Sequence, residues 1–246
     1  MSKLISTKNG QWSLSQDSNT LESFAKSYVE RYNSEMMKSE TSLFKRYEDK
    51  FIVPKSLKKS LIEMLNNNLQ PDYPSKDTKF NTMKSVYFDS TNLDMIQHHL
   101  SKAQSRFKIR TREYAPNGKF SKSDFTYLEV KAKHGNVSDK FRIKVPHSDI
   151  EAFKKGLPII PSLQLIKANP HIGVADLVKR VQDINSAQQT FSMHPSCEIS
   201  YNRRAYGDGN IDSGLRVTFD EGVTSNVLDI VPTTVSNALI KESSDE

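Results

Sequence analysis

RFKIRTREY, residues 106–114, alternates basic with apolar side chains. A period of two places Lys108, Arg110 and Arg112 on one face of a β-strand and their apolar neighbours on the other face. The same alternation occurs in three more segments, which are residues 43–53, 124–133 and 138–146. These segments are predicted to be strands of a sheet that has one apolar face and one charged face.

The charged face, which we call the cationic face, carries ten cations and two carboxylates on these four strands. The cations are Arg46, Lys50, Lys108, Arg110, Arg112, Lys131, Lys133, Lys140, Arg142 and Lys144, and the carboxylates are Glu48 and Glu129. Such a face cannot lie in a dry core, because unpaired buried charges cost several kcal/mol each. It must therefore face water or a multiply charged anion.

The residues alone leave these two interpretations of the face open. An antiparallel sheet normally turns its polar face to water. However, like charges directly opposite each other on neighbouring strands destabilise a sheet, so an excess of cations on strand after strand favours a bound anion. Two later strands, predicted over 197–206 and 214–221, add Arg203 and Arg216 to the same pattern.

Closure of this sheet with its charges inward would form a tunnel wide enough for a phosphate chain. Arginine offers planar bidentate contacts to phosphate oxygens, and lysine offers a point charge. We therefore expect an α+β fold in which helices pack outside an antiparallel barrel with a charged interior. Few aromatic side chains accompany the basic strands, which argues against nucleic acid as the partner.

Glu48 and Glu129 are the two exceptions on the cationic face. Carboxylates do not bind phosphate, but they supply the hard oxygen ligands that Mg²⁺ or Mn²⁺ prefers. They can also hold neighbouring cations in place. Both roles remain open from the residues alone.

The composition agrees with an anionic partner and excludes several other classes of protein. The 246 residues carry a formal net charge of +6, and the single cysteine, Cys197, excludes an internal disulfide. The sequence has no Gly-rich phosphate loop or dinucleotide fingerprint, and its histidines show no metal-ligand spacing. No apolar run approaches the length of a membrane span, so a cytoplasmic protein is expected.

Two regions are expected along the chain. Residues 1–40 are interpreted as a leader with an amphipathic helix over 19–37, and residues 41–246 as one domain. The apolar stripe of that helix predicts that it docks on the body of the protein or on a partner protein. Further helices are predicted over 92–103, with Leu93, Ile96, Leu100 and Ala103 inward, and over 174–189.

Seven motifs, taken in order, resemble one known family. They are RYEDKF at 46–51, SVYFD at 85–89, KIRTREY at 108–114, LEVK at 128–131, KFR at 140–142, YNRRA at 201–205 and RVTFD at 216–220. Together they resemble the VTC domain, the catalytic domain of the vacuolar transporter chaperone complex, and its bacterial relatives. These proteins belong to the triphosphate tunnel metalloenzymes of the CYTH-like superfamily.

The resemblance implies an eight-stranded antiparallel tunnel barrel and a polyphosphate polymerase. Such an enzyme transfers the γ-phosphate of ATP to a growing inorganic polyphosphate chain, with Mn²⁺ or Mg²⁺ as cofactor. The expected catalytic residues are Lys50, Arg110, Arg112 and Lys131. The expected substrate-binding residues are Arg46, Lys108, Lys133, Lys140, Arg142, Arg203 and Arg216. The expected metal ligands are Glu48 and Glu129.

Two alternatives accompany this expectation. One is a tunnel triphosphatase or nucleotidyl cyclase, which uses water or a ribose hydroxyl as the nucleophile. The other is a catalytically silent module that binds triphosphate or polyphosphate. A departure from the family pattern favours the silent module: the last barrel strand of the family carries a Glu-x-Lys pair, and Leu239 stands where that glutamate would fall.

Overall fold

The structure is a computed structural model that describes residues 17–36, 48–72, 78–120, 123–209 and 215–228. Its helices are α1 (Asp17–Met36), α2 (Lys58–Asn68), α3 (Asp94–Leu100), α4 (His147–Lys154), α5 (Leu163–Ala168) and α6 (Val174–Thr190), with a short 3-10 helix at Lys55–Leu57. Its strands are β1 (Gln70–Pro71), β2 (Asn81–Asp89), β3 (Ser105–Pro116), β4 (Phe125–His134), β5 (Val137–Pro146), β6 (His194–Gly207) and β7 (Arg216–Val227). Within these residues, no helix is both long and apolar enough to cross a membrane.

The strands form one antiparallel sheet in the order β7-β6-β2-β3-β4-β5, and β1 pairs with the end of β6. The central part is an antiparallel meander of β3, β4 and β5, which confirms the strands predicted at 106–114, 124–133 and 138–146. A two-residue turn joins β4 to β5, and its Gly135 adopts φ +56°, a left-handed conformation that glycine reaches without strain. This tight turn fixes the register between the two strands, so it also fixes which charged side chains lie opposite each other.

The closed eight-stranded barrel is not confirmed. Six long strands and the two-residue β1 form a curled, open sheet, and its edge strands β5 and β7 do not pair with each other in the described ranges. The prediction of a strand over 43–53 is wrong for residues 48–53, the part that the structure describes, because residues 48–54 have no regular secondary structure. An alternating sequence forms a strand only beside a partner that supplies backbone hydrogen bonds, and none of the described strands pairs with this segment. Arg46 and Leu239 lie outside the described residues.

The apolar face of the sheet forms the core together with the helices. Phe107 and Ile109 of β3 are buried there, as are Leu128 of β4 and Ile143 of β5. The side chains that alternate with them therefore lie on the opposite face, as the period of two requires.

Helix α1 docks on this apolar face, as its sequence predicts. Its side chains at Leu21, Tyr28 and Tyr32 are at most 2% exposed, and the ring centroid of Phe24 lies 5.0 Å from that of Phe107. The apolar stripe of α1 is thus covered by its own chain. A protein partner for this helix stays a prediction and would have to use the exposed side of α1.

A buried ion pair links α6 to the sheet beneath α1. Arg180 of α6 donates to Asp139 of β5 at 3.0 Å, and its guanidinium carbon lies 3.7 Å from the ring centroid of Tyr32. The side chains of Arg180 and Asp139 are only 10% and 3% exposed. Three elements therefore meet at one cation, which fixes α1 against the domain.

Helix α3 differs from its prediction in length and in the face that it buries. The predicted inward residues Leu93, Ile96 and Leu100 are exposed, whereas Met95 and His98 are buried. The Asp89 carboxylate accepts hydrogen bonds from the backbone N–H groups of Met95 and Ile96 at 2.9 and 3.0 Å. Because this cap satisfies the first turn, it sets where the helix begins and which face meets the sheet.

Candidate anion-binding site

A carboxylate clamped by two arginines forms the centre of the cationic face. The register places Glu129 of β4 directly opposite both Arg110 of β3 and Arg142 of β5. Its Oε2 accepts from Nε and a terminal nitrogen of Arg110 at 2.8 and 2.6 Å. Its Oε1 lies 2.7 Å from Nε and 2.5 Å from a terminal nitrogen of Arg142. Both oxygens of Glu129 are therefore occupied by guanidinium groups.

Tyrosines complete the environment of the two arginines. A terminal nitrogen of Arg110 donates to the Tyr87 hydroxyl at 2.7 Å, and Arg142 donates to the Tyr114 hydroxyl. The guanidinium of Arg142 also lies 4.8 Å from the ring centroid of Tyr127. These contacts orient both arginines before any ligand binds.

Glu129 is ionised in this setting although its side chain is only 3% exposed. Burial alone would raise the pKa of its carboxyl, but the charges and hydrogen bonds of Arg110, followed by the charges of Arg142 and Arg112, lower it below the ordinary value. The net negative charge of Glu129 is thus fixed between two positive ones.

Three lysines form the neighbouring row of the cationic face, two residues further along each strand. Lys108 of β3 lies directly opposite Lys131 of β4, and Lys131 lies directly opposite Lys140 of β5. We call these three residues the lysine row. No carboxylate of the described residues forms an ion pair with any of them. Because like charges opposite each other destabilise a sheet, this arrangement favours a bound polyanion.

Burial and neighbouring charges lower the pKa of two members of the lysine row, Lys108 and Lys140. Burial lowers the pKa of Lys108, and the charges of Lys131, Arg110 and Lys50 lower it further. Burial also lowers the pKa of Lys140, the charge of Glu129 opposes this shift, and the charges of Arg142, Arg110 and Arg112 add to it. The charged forms of Lys108 and Lys140 are therefore disfavoured in the empty protein, and a neighbouring anion would favour them.

Arg112 is a buried cation with neutral partners. Its side chain is 7% exposed, and it donates to the Ser85 hydroxyl at 3.0 Å and to the Tyr201 hydroxyl at 3.3 Å. No carboxylate among the described residues pairs with it. A buried charge without a counter-ion is unfavourable, so Arg112 also favours an anionic ligand.

The remaining predicted cations are neutralised or lie at the margin. Arg203 makes a bidentate pair with Asp220, both contacts being 2.6 Å, and Arg216 lies 2.8 Å from Asp72. Lys133 lies on the cationic face opposite Ser138. Arg203 and Arg216 thus lie in internal ion pairs, whereas Lys108, Lys131, Lys140 and Arg112 make none with a described carboxylate.

Glu48 and Lys50 lie in the irregular segment before α2. Their side chains are 74% and 81% exposed, and the two charged groups are 3.7 Å apart. The charge of Lys50 lowers the pKa of Lys108, so Lys50 lies near one end of the lysine row. Glu48 is not brought next to Glu129 by any contact of the described residues.

His99 is a neighbour of the lysine row that sequence reasoning missed. Burial lowers the pKa of its imidazole, and the charges of Lys108, Arg106 and Lys131 lower it further. Its position depends on how α3 packs against β3, which no local sequence signal reveals.

The described residues do not fit the metal site that the family resemblance implies. A divalent cation needs several oxygen or nitrogen ligands that have free lone pairs. Both oxygens of Glu129 already bind guanidinium groups, and no cluster of three metal-binding side chains occurs within the described ranges. We therefore assign no metal to these residues.

Comparison with solved structures and curated proteins adds little. A crystal structure described as a putative adenylate cyclase from Bacillus halodurans shares 10% identity, with 77% of this chain and 82% of that chain covered. The TM-score is 0.34, which carries no argument about this chain. No curated protein matches.

The family comparison is more informative. The model of the VTC domain matches residues 45–239, which include all described strands of the sheet, the lysine row, and Glu129 with its partners Arg110 and Arg142. This match covers most of the chain and confirms the resemblance that the seven motifs indicate. The chain belongs to the VTC domain family.

Proposed function

We propose that this chain is a polyphosphate polymerase that uses ATP. Membership of the VTC domain family supports the proposal, and the observation that carries it is the lysine row, in which Lys108, Lys131 and Lys140 lie opposite one another on three adjacent strands. A phosphate chain presents closely spaced negative charges, which match such a row. Neighbouring strands are about 4.8 Å apart, so successive lysines meet successive parts of one chain.

The proposed reaction needs few groups from the protein. A terminal phosphate oxygen of the growing chain attacks the γ-phosphorus of ATP, the bond from that phosphorus to the β,γ-bridging oxygen breaks, and ADP leaves. The attacking oxygen is already deprotonated near neutral pH, so no general base is required. The lysine row and Arg112 would position the phosphates and stabilise their charge during transfer.

A second candidate is a module that binds polyphosphate or triphosphate without turnover. Two observations favour it: Glu129 is saturated by Arg110 and Arg142, and Leu239 stands where the family has a glutamate. This module would share the lysine row, so binding alone does not separate it from the polymerase.

The test is the product formed from ATP. Purified protein is incubated with ATP and Mn²⁺ or Mg²⁺, and long polyphosphate is detected on gels while ADP is quantified. Lys131→Ala protein, prepared in parallel, controls for contaminating kinases. We expect long polyphosphate, with one ADP released for each phosphate residue that the chain gains. Orthophosphate alone would identify a triphosphatase, a cyclic nucleotide would identify a cyclase, and binding without product would identify the silent module.

A further inference from the structure

Glu129 has a chemical role that differs from metal binding. It is the buried carboxylate at the centre of a face otherwise dominated by cations. Its two oxygens are shared evenly, Oε2 facing Arg110 and Oε1 facing Arg142. A carboxylate in this geometry resembles a phosphate group held by two arginines, because both are bidentate oxygen acceptors.

The neighbouring rows differ in charge because of this one residue. In the row of Arg110, Glu129 and Arg142, one carboxylate offsets part of the charge of two arginines. In the lysine row, only two residues away on each strand, no described carboxylate forms an ion pair, and Glu129 acts on Lys140 only as a neighbouring charge. A phosphate chain on the lysine row would therefore lie beside two arginines whose donors are already bound to Glu129.

We infer that Glu129 is an internal counter-ion that competes with the phosphate chain for Arg110 and Arg142. It positions the two arginines in the empty protein and limits how tightly they hold the ligand. This inference rests on the proposed function for the identity of the ligand. It also explains why a carboxylate occurs on a phosphate-binding face without acting as a metal ligand.

The inference predicts opposite effects of Glu129→Gln on stability and on affinity. The amide removes one negative charge and cannot accept from both arginines, so the empty variant should melt about 5 to 10 °C lower than wild type. Triphosphate should bind the variant about three- to tenfold more tightly, because both arginines become available and the site gains one net positive charge. The melting deficit should consequently shrink when triphosphate is saturating.

The experiment measures triphosphate affinity by titration calorimetry, once with a chelator and once with Mn²⁺, and melting temperature with and without saturating triphosphate. Glu198→Gln is the matched control, because Glu198 forms a similar pair with Lys84 at 2.8 Å but belongs to the other face of the sheet. That control should leave triphosphate affinity unchanged.

Tighter binding by Glu129→Gln in chelator, with a melting deficit that saturating triphosphate reduces, is the expected result. Weaker binding that appears only with Mn²⁺ would overturn the inference and identify Glu129 as a metal ligand. Lower stability with unchanged affinity would overturn it in favour of a purely structural role. If wild-type protein fails to bind triphosphate at all, the proposed function fails, and the melting temperature of the empty protein still decides the counter-ion role: a Glu129→Gln variant that melts like wild type would contradict it.

Discussion

Lys108 of β3 and Lys131 of β4 lie directly opposite each other, whereas two residues along the same strands Arg110 lies opposite Glu129. The second pair is an ion pair with contacts of 2.6 and 2.8 Å. The first is a like-charge pair, and the described residues provide no carboxylate for it. The contrast favours the lysine row over the row of Arg110, Glu129 and Arg142 as the place where an anion binds.

Replacement of Lys131 tests the lysine row directly. Lys131→Ala should weaken triphosphate binding about tenfold, since it removes a charge-assisted contact worth roughly 1.5 kcal/mol or more. The empty protein should melt at the same temperature or higher, because repulsion from Lys108 and Lys140 is relieved. Titration calorimetry and thermal melting measure the two effects. Lys155→Ala, an exposed residue at the end of α4, is the control and should change neither.

Arg110 and Arg112 should respond differently to alanine although they are only two residues apart. Arg112 has hydroxyl partners alone, so Arg112→Ala should lower triphosphate affinity about ten- to a hundredfold. Arg110→Ala instead removes one of the two partners of buried Glu129 and should lower the free energy of unfolding by roughly 3 kcal/mol. Urea unfolding and ligand titration separate the two effects. Equal losses of affinity and of stability in both variants would contradict this division.

Triphosphate binding should depend on pH in the alkaline range. In the empty protein, burial and then the charges of Lys131 and Arg110 hold the pKa of Lys108 below its ordinary value of 10.5. A bound anion favours the charged lysine and raises that pKa, so binding takes up protons, and affinity falls as pH rises through the lowered pKa. Lys108→Arg stays charged and should show a shallower decrease between pH 8 and pH 10 at constant ionic strength. Parallel curves for both proteins would show that Lys108 does not contact the ligand.

The ion pair beneath α1 should matter for stability and not for anion binding. Asp139→Asn leaves Arg180 buried with a weaker partner and should lower the free energy of unfolding by roughly 3 kcal/mol. Asp176 is the second carboxylate partner of Arg180, and its side chain is 42% exposed. Asp176→Asn should therefore lower the free energy of unfolding by at most about 1 kcal/mol. Denaturant unfolding compares the two. Equal effects would mean that Asp139 does not fix α6 to the sheet.

Much of the cationic face could be predicted from the sequence because the period of two is a local property. The alternation places Lys108, Arg110 and Arg112 on one face of β3, and the structure shows Phe107 and Ile109 buried on the other. The partners of these cations could not be predicted in the same way. Whether a guanidinium meets a carboxylate depends on which strands become neighbours and in which register.

The segment 48–53 and helix α3 show the limits of local patterns. Residues 48–53 have the alternation of a strand, but no described strand pairs with them, and Ile52 is fully exposed. Helix α3 has an apolar stripe, but the cap from Asp89 turns Met95 and His98 toward the sheet instead. In both cases tertiary contacts decide which structure forms or which face is buried, and these contacts cannot be predicted from the local sequence.

A crystal structure of the protein with triphosphate tests the central claim most directly, because it shows where the anion lies. The account predicts phosphate oxygens at about 2.8 Å from the Nζ atoms of Lys108, Lys131 and Lys140, with the phosphate chain running across β3, β4 and β5 and with a guanidinium nitrogen of Arg112 in contact. Triphosphate bound elsewhere on the protein, with the lysine row facing only water, would contradict it.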